Sequence, residues 1–196
     1  MNESQTTLID SLPAVRGKYT TNAPLKEMTW LRVGGPAEVL FQPADQEDLL
    51  SFLKSCPLNA AVAFLGASSN LLVGDVGIKG IVIKLGPSFS RIEVEGEEIT
   101  AGAGAMDFNI ARAAQKAGLT GLEFLFGIPG TLGGALRMNA GAHGSEIKDI
   151  ANSITLTDRN GTLKTIKPEE MGFAYRKTTA PKDWIFLSAT LKGEKG

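Results

Sequence analysis

The order of apolar and polar residues predicts a strand–helix–strand unit in the first third of the chain. An alternating segment at 37–41 follows a Gly-Gly-Pro turn signal and is expected to be a strand. Asp45 is a suitable N-cap for a helix through Lys54, whose apolar residues recur at helical spacing. The continuous apolar run at 61–65 is typical of a buried parallel strand. These elements together predict a βαβ unit.

The rest of the pattern predicts mostly hairpin strands and one further helix. The helix is expected to begin with Asp107 as its N-cap and to end at Gly118. Residues 1–20 are polar and unpatterned, so we expect a frayed or loosely docked helix there. The remaining strands are predicted as a hairpin at 92–101 turning at 95–97, a second hairpin of 153–157 and 163–166 around an Asn-Gly turn, and a closing strand at 184–191.

Composition and charge exclude several classes of protein. The 196 residues are 43% hydrophobic and 21% charged, which is ordinary for a globular protein. Lys and Arg number 20 against 21 Asp and Glu, so no basic field points to nucleic acid. No apolar run is long enough for a membrane span, and the N-terminus lacks the features of a secretory signal. Cys56 alone forms neither a disulfide nor a multi-cysteine metal site, and we interpret it as a core residue; a cytoplasmic location is expected.

The segment 127–144, GIPGTLGGALRMNAGAHG, is the most unusual stretch of the chain. It holds six glycines and one proline, and no Asp, Glu or Lys. Glycine lets the backbone approach another surface closely, and we expect this for Gly130 and Gly134 in particular. Residues 128–131 are predicted to form a tight turn with Gly130 left-handed. Glycine-rich surface turns are common, but the apolar residues interspersed here favour backbone wrapped around a large, flat, partly apolar ligand.

A second candidate binding loop follows the run at 61–65. Residues 66–71, GASSNL, offer hydroxyl, amide and backbone N–H donors, which suits an anion such as a pyrophosphate. No Gly-Lys-Ser/Thr follows, so this is not a Walker A loop, and the bare pattern is equally that of a plain β-turn. Gly102 and Gly104 before a helix imitate the dinucleotide fingerprint, but Asp107 replaces its third glycine, which disfavours a Rossmann domain.

Three motifs in order resemble the UDP-N-acetylenolpyruvoylglucosamine reductases of bacterial peptidoglycan synthesis. They are GASSNLLVGDVGIKGIVI from Gly66, the segment 127–144, and the F-x-Y-R motif Phe173-Ala174-Tyr175-Arg176, which leans towards the type II subclass. The resemblance extends from Trp30 to Leu191. It implies an α/β (α+β) two-lobed FAD-binding fold of the vanillyl-alcohol-oxidase/PCMH type, with a small βαβ lobe at 1–86 and a larger mixed lobe at 87–196.

The resemblance also implies roles for individual residues. Arg176 would be catalytic through contact with the enolpyruvyl carboxylate, although spacing alone would favour a surface arginine. Tyr175 and His143 would face the substrate, while a structural role for this single histidine remains open. No metal ligand set is assigned. Non-covalent FAD would be bound by Gly66, Ala67, Ser68, Ser69, Asn70, Leu71, Gly127, Ile128, Pro129, Gly130, Thr131, Gly133, Gly134, Asn139, Ala140, Gly141 and Gly144.

The implied activity is reduction of UDP-N-acetylglucosamine enolpyruvate, a small-molecule UDP-sugar, with NADPH as reductant. Family members continue into a substrate domain that supplies a proton-donating serine and a glutamate, and neither can be assigned before Gly196. We therefore expect these residues to be the FAD-binding part and to be a poor reductase alone. The alternatives are a flavin-binding module, or an oxidase of the same flavin-fold superfamily with another substrate. The sequence leaves the oligomeric state open.

Overall fold

The computed structural model describes residues 7–196, and the chain folds as two compact units, the first ending at Lys84 and the second beginning at Leu85. The first unit is built on a four-stranded mixed sheet in the order β1-β2-β4-β3. Its strands are β1 (Lys18–Pro24), β2 (Pro36–Gln42), β3 (Val62–Leu65) and β4 (Ile78–Lys84). Strand β1 is antiparallel to β2, whereas β4 is parallel to both of its neighbours.

Helix α1 (Gln46–Ser55) connects β2 to β3, so the predicted βαβ unit is confirmed. Asp45 is its N-cap, as predicted, because its carboxylate accepts a hydrogen bond of 3.0 Å from the Asp48 amide. The helix packs on the sheet through Phe52, whose ring centroid lies 4.5 Å from that of Phe41. The neighbouring Leu40 is buried in a separate cluster with Leu25, which means that β2 is covered on both faces.

Two expectations for the first unit were wrong. Strand β3 is parallel but not fully buried, since it lies at the sheet edge and Phe64 is 40% exposed. The expected N-terminal helix reduces to a 3-10 turn at Leu8–Ser11, followed by strand β1, while residues 1–6 lie outside the described part of the chain. Strand β1 pairs with β2. The Asp48 carboxylate accepts hydrogen bonds of 2.7 and 2.8 Å from the backbone amides of Arg16 and Gly17, the two residues that precede β1. These partners are distant in sequence, so local polarity did not reveal the strand.

The second unit is built on a five-stranded antiparallel sheet in the order β11-β10-β12-β6-β5. Both predicted hairpins and the closing strand are confirmed. An antiparallel sheet of this kind excludes a Rossmann domain. The strands are β5 (Ile92–Glu95), β6 (Glu98–Gly102), β10 (Ala151–Thr157), β11 (Leu163–Ile166) and β12 (Ile185–Lys192), with small ladders of β7 (Leu119–Thr120) with β13 (Glu194–Lys195) and β8 (Gly141–Ala142) with β9 (Ser145–Glu146).

Three helices accompany this sheet: α2 (Asp107–Lys116), α3 (Leu132–Met138) and the short α4 (Ile147–Ile150). Helix α3 lies inside the glycine-rich segment, where the sequence pattern predicted no helix. Its buried residues Leu132, Ala135 and Leu136 follow helical spacing, and α3 packs against β6 and β12. The two glycines within it masked this periodicity because glycine is a poor helix former.

Glycine 130 also differs from its predicted conformation, since it does not adopt a positive φ. Its amide donates to the Ile128 carbonyl at 2.9 Å, two residues back. A Cβ at this position would lie 2.9 Å from the Asp107 Oδ2 atom. Gly130 is therefore explained by its close contact with the buried Asp107 side chain rather than by a left-handed turn.

Asp107 is not the N-cap of α2 but its first helical residue, and Met106 occupies the cap position. The Asp107 side chain is fully buried, and neither carboxyl oxygen has a hydrogen-bond partner among residues 7–196. Burial raises the pKa of Asp107 from 3.8 to about 7. This carboxyl group is consequently protonated in the native protein over a pH range in which it is ionised in the unfolded chain.

Among residues 7–196, no helix combines the length and apolar character needed to cross a bilayer. Cys56 is buried, in agreement with its interpretation as a core residue.

We predict that Asp107→Asn removes a pH-dependent loss of stability. The native-state pKa is raised, so the contribution of Asp107 is complete below pH 3.8 and is lost as the pH rises through about 7. The stability of Asp107→Asn relative to the wild type should therefore increase between these pH values and then level off. The proton affinity of the Asp107 carboxyl differs by about 10³-fold between the native and the unfolded chain. Because each factor of ten in an equilibrium constant is about 1.4 kcal/mol, the gain in the free energy of unfolding should approach roughly 4 kcal/mol. Urea unfolding of the wild type and the variant at pH 4.5 and pH 8 measures this gain. Asp75→Asn, at an exposed position, is the control. An equal gain for Asp107→Asn at both pH values would contradict the raised native-state pKa of Asp107.

Candidate functional site

The loop 66–72 begins at the carboxyl end of β3, where the parallel strands of the first unit terminate together. This edge is where ligands bind in open parallel sheets. None of the amide groups of residues 67–72 donates a hydrogen bond within the described part of the chain. Ser68 is buried and adopts a left-handed φ of 58°, which turns successive N–H groups out of the strand direction. Unpaired amides in such a turn form a concavity that is suited to an anion.

In the second unit, α3 is followed by the short hairpin β8–β9. His143 and Gly144 form its two-residue turn with φ values of 55° and 91°, as in a type I′ turn. His143 is exposed, and its Nε2 atom would lie 3.5 Å from a Cβ placed on Gly127. The histidine is thus folded back beside the first residue of the segment 127–144.

The two glycines of α3 have different surroundings. A Cβ on Gly133 would meet Ala103 at 3.2 Å, so internal packing explains that glycine. A Cβ on Gly134 would meet only the Thr131 hydroxyl, at 3.8 Å, and Gly134 is exposed. Glycine in the middle of a helix is destabilising by about 1 kcal/mol relative to alanine. With no internal contact to explain it, Gly134 fits close approach by a ligand.

Asn139 ends α3 in the left-handed conformation, with a φ of 41°, and it is only 1% exposed. Its side-chain amide donates to the Glu146 carboxylate at 3.0 Å and to the Ala174 carbonyl at 3.1 Å, and its carbonyl accepts the Lys148 amide at 3.1 Å. The Asn139 side chain therefore ties the glycine-rich segment to the strand-like stretch that leads to Arg176.

Residues 174–177 form a tight turn in which Ala174 and Lys177 exchange backbone hydrogen bonds of 2.9 and 3.1 Å. Tyr175 and Arg176 occupy its tip, where Tyr175 is 82% exposed. Arg176 has a φ of 58°, which is uncommon for a residue other than glycine. The Arg176 guanidinium makes no hydrogen bond or ion pair with residues 7–196, so it is free to receive an anionic ligand.

Sequence reasoning did not identify Arg137 as an organising residue of this segment. Its guanidinium donates to the carbonyls of Ala180, Pro181 and Trp184 at 3.2, 3.0 and 2.5 Å, and it lies 4.7 Å above the Phe186 ring. Burial lowers the pKa of Arg137. The available signal was that Arg137 is the one formally charged residue between Gly127 and Gly144.

The glycines at 102 and 104 serve the fold and not a dinucleotide. A Cβ on Gly102 would lie 2.0 Å from the Phe89 carbonyl oxygen, and one on Gly104 would lie 3.2 Å from the same atom. The segment after Gly102 also pairs with the start of the glycine-rich segment, because Gly133 donates to the Ala103 carbonyl at 2.9 Å. Within residues 7–196 no cluster of His, Cys, Asp and Glu side chains could hold a metal ion.

The fold agrees with the comparisons to known proteins, and a family match spans both glycine-containing segments. Residues 37–167 match the FAD-binding domain family, and the chain belongs to that family. It is 54% identical over 187 residues to the UDP-N-acetylenolpyruvoylglucosamine reductase of Paramagnetospirillum magneticum, covering 95% of this chain and 61% of that protein. The chain thus spans about three fifths of the length of such curated relatives.

Solved structures show the same relationship. The reductase of Thermus caldophilus matches with a TM-score of 0.79 and 35% identity, over 93% of this chain and 64% of that one. The 6-hydroxy-D-nicotine oxidase of Arthrobacter nicotinovorans matches with a TM-score of 0.70 over 93% of this chain and 43% of that one, at 16% identity. The similarity to the oxidase concerns the fold alone. Together with the family match, these structures confirm the predicted α/β flavin-binding fold.

The residues present fit FAD. The amides of residues 67–72 lack internal partners and suit its pyrophosphate, and the open Gly134 position suits a flat apolar group. For Gly130, however, the expected ligand contact does not explain the glycine, since the Asp107 carboxyl already fills the space.

We predict that Gly134→Ala stabilises the protein and weakens flavin uptake. The added methyl group meets no protein atom closer than 3.8 Å, so helix propensity should raise the free energy of unfolding without flavin by up to about 1 kcal/mol. The same methyl should obstruct FAD, and Gly134→Val should abolish uptake. Flavin absorbance and fluorescence titration of the wild type and both variants measure this.

The matched control is Ser51→Ala, an exposed position in α1 where alanine should raise helix propensity but leave FAD affinity unchanged. A wild-type protein that takes up no FAD, or a Gly134→Val variant with wild-type affinity, would contradict the assignment of Gly134.

Proposed function

We propose that this chain binds FAD non-covalently and forms the flavin-binding part of a UDP-N-acetylenolpyruvoylglucosamine reductase. The high identity to curated reductases and membership of the FAD-binding domain family support this. The proposed reaction is the NADPH-driven reduction of UDP-N-acetylglucosamine enolpyruvate to UDP-N-acetylmuramate in the cytoplasm, for peptidoglycan synthesis.

FAD would be held by two sets of backbone groups. The amides of residues 67–71 would receive the pyrophosphate, since they have no competing partner in the protein. The segment 127–144 would face the flavin ring through the exposed surface of α3 at Gly134 and through the hairpin that carries His143. When bound, the flavin supplies the hydride that the enolpyruvyl double bond accepts.

The observation that carries the proposal is the link between Asn139 and the turn of Arg176. Asn139 holds the Ala174 carbonyl at 3.1 Å, so the glycine-rich segment and the turn at 174–177 form one hydrogen-bonded assembly. Arg176 projects from that turn with an unpaired guanidinium. A forked cation is suited to a carboxylate and to the negative charge that accumulates on it when hydride adds to the β-carbon of the enolpyruvyl group.

Tyr175 and His143 complete the proposed substrate side. Both are exposed at the tips of two-residue turns, so their polar atoms are accessible to a ligand. We assign to them orientation of the UDP-sugar and no part in bond making.

Turnover should require groups beyond those that these residues provide. Residues 1–196 offer the proposed flavin site and Arg176, whereas no residue is assigned to protonate the α-carbon. A positioned general acid contributes about 10²–10⁴-fold. We therefore predict that this chain takes up FAD but reduces the enolpyruvyl substrate at least about 100-fold more slowly than a chimera continued by the C-terminal part of the Paramagnetospirillum magneticum reductase. Steady-state NADPH oxidation measures both, and equal rates would place the proton donor within these residues.

In that chimera, Arg176→Ala should lower kcat by about 10²–10³-fold, as for loss of one preorganised donor. Lys177→Ala is the matched control, since Lys177 is an exposed cation in the same turn. FAD content should be unchanged in both variants. An unchanged kcat for Arg176→Ala, or an equal loss for both variants, would remove Arg176 from the reaction.

A further inference from the structure

Lys84 ends β4 beside the start of the loop 66–72. Its Cα is the register partner of Leu65, the last residue of β3, and its Nζ atom donates to the Gly66 carbonyl at 3.3 Å. The parallel pairing of β3 and β4 therefore places an ammonium group at the point where the loop leaves the sheet.

The ammonium group of Lys84 has no carboxylate to neutralise it. It forms no ion pair within residues 7–196, and its one hydrogen bond there uses a single one of its three donors. The side chain is only partly exposed, and burial lowers the pKa of Lys84 without an opposing charge. A half-buried cation of this kind is stabilised when an anion arrives beside it.

The loop itself lacks formal charge. Residues 66–74, GASSNLLVG, contain no Lys or Arg, so their backbone amides supply hydrogen bonds but no neutralising cation. A diphosphate carries negative charge that amides alone offset only in part, and a charged donor contributes more than a neutral one.

We propose that Lys84 is a ligand-binding residue that supplies the cation for the diphosphate group received by the loop 66–72. The inference rests on the proposed binding of FAD, and it adds a residue that lies outside both glycine-containing segments. Lys84 reaches the anion from β4, and the amides of the loop reach it from the end of β3. The site is thus assembled by the pairing of two parallel strands that are adjacent in the sheet.

The test separates the diphosphate from the flavin ring. The 196-residue protein is titrated by fluorescence with FAD and with riboflavin, which has the same ring but no phosphate. Lys84→Met should lower FAD affinity by about 10- to 100-fold, the range for a charged hydrogen bond, and should leave riboflavin affinity unchanged. Lys79→Met is the matched control, because Lys79 is an exposed lysine of the same strand and should bind FAD as the wild type does.

Equal FAD affinity of Lys84→Met and the wild type would overturn the proposal, as would an equal loss for FAD and riboflavin. If Lys84→Met does not fold, the wild type still provides a test: added NaCl should weaken binding of FAD and not that of riboflavin. Salt-independent FAD binding would then overturn the proposal.

Calorimetric titration with inorganic pyrophosphate distinguishes this inference from the proposed function. Binding by the wild type and its loss in Lys84→Met would support the anion site even if the chain took up no FAD, in which case the proposed function alone would fail. Absence of pyrophosphate binding in a wild type that takes up FAD with salt-independent affinity would overturn the assignment of Lys84 and leave the proposed function intact.

Discussion

The candidate site of the second unit depends on the hydrogen bonds made by the buried side chain of Asn139. Asn139 lies where α3 must stop and the chain must reverse, in a left-handed conformation that asparagine tolerates better than most residues. Its three side-chain hydrogen bonds join the helix end, the β9 region and Ala174. Loss of this side chain would leave buried polar groups unpaired, which is more costly than the hydrogen bonds are worth individually. The position of the Arg176 turn is therefore set by a residue 37 places earlier in the chain.

The polar groups of this protein divide into those that hold the fold and those that remain available. Asn139 and Arg137 donate hydrogen bonds to backbone carbonyls and, for Asn139, to a carboxylate as well, and both are at least partly buried. The amides of residues 67–72 and the guanidinium of Arg176 have no such partners in the described chain. Because buried polar groups are nearly always paired and accessible ones are hydrated, this division separates structural residues from candidates for binding.

Glycines divide in the same way. Gly102, Gly130 and Gly133 are explained by protein atoms that a Cβ would meet at 2.0, 2.9 and 3.2 Å. Gly134 is explained by none of them, although it lies in a helix that alanine would favour. Sequence alone treats these glycines alike, since it shows their density and not what stands opposite each one. Within the glycine-rich segment, the structure therefore identifies Gly134 as the position at which close approach of a ligand would account for the glycine.

The elements whose signals are local could be predicted from the sequence. The cap at Asp45, the hairpins and the βαβ unit all depend on residues a few positions apart, and these predictions agree with the structure. The resemblance to the reductases is also read from local motifs, and it agrees with the comparisons. Long-range contacts instead make β3 an edge strand, 18–24 a strand, 132–138 a helix and Asp107 a buried residue rather than a cap. Each of these is decided by a partner distant in the chain: β4 inserted between β2 and β3, β2 beside β1, the sheet beneath α3, and Gly130 against Asp107. Local propensity differs by at most about 1 kcal/mol per residue among ordinary residues, so packing and strand pairing with such partners outweigh it.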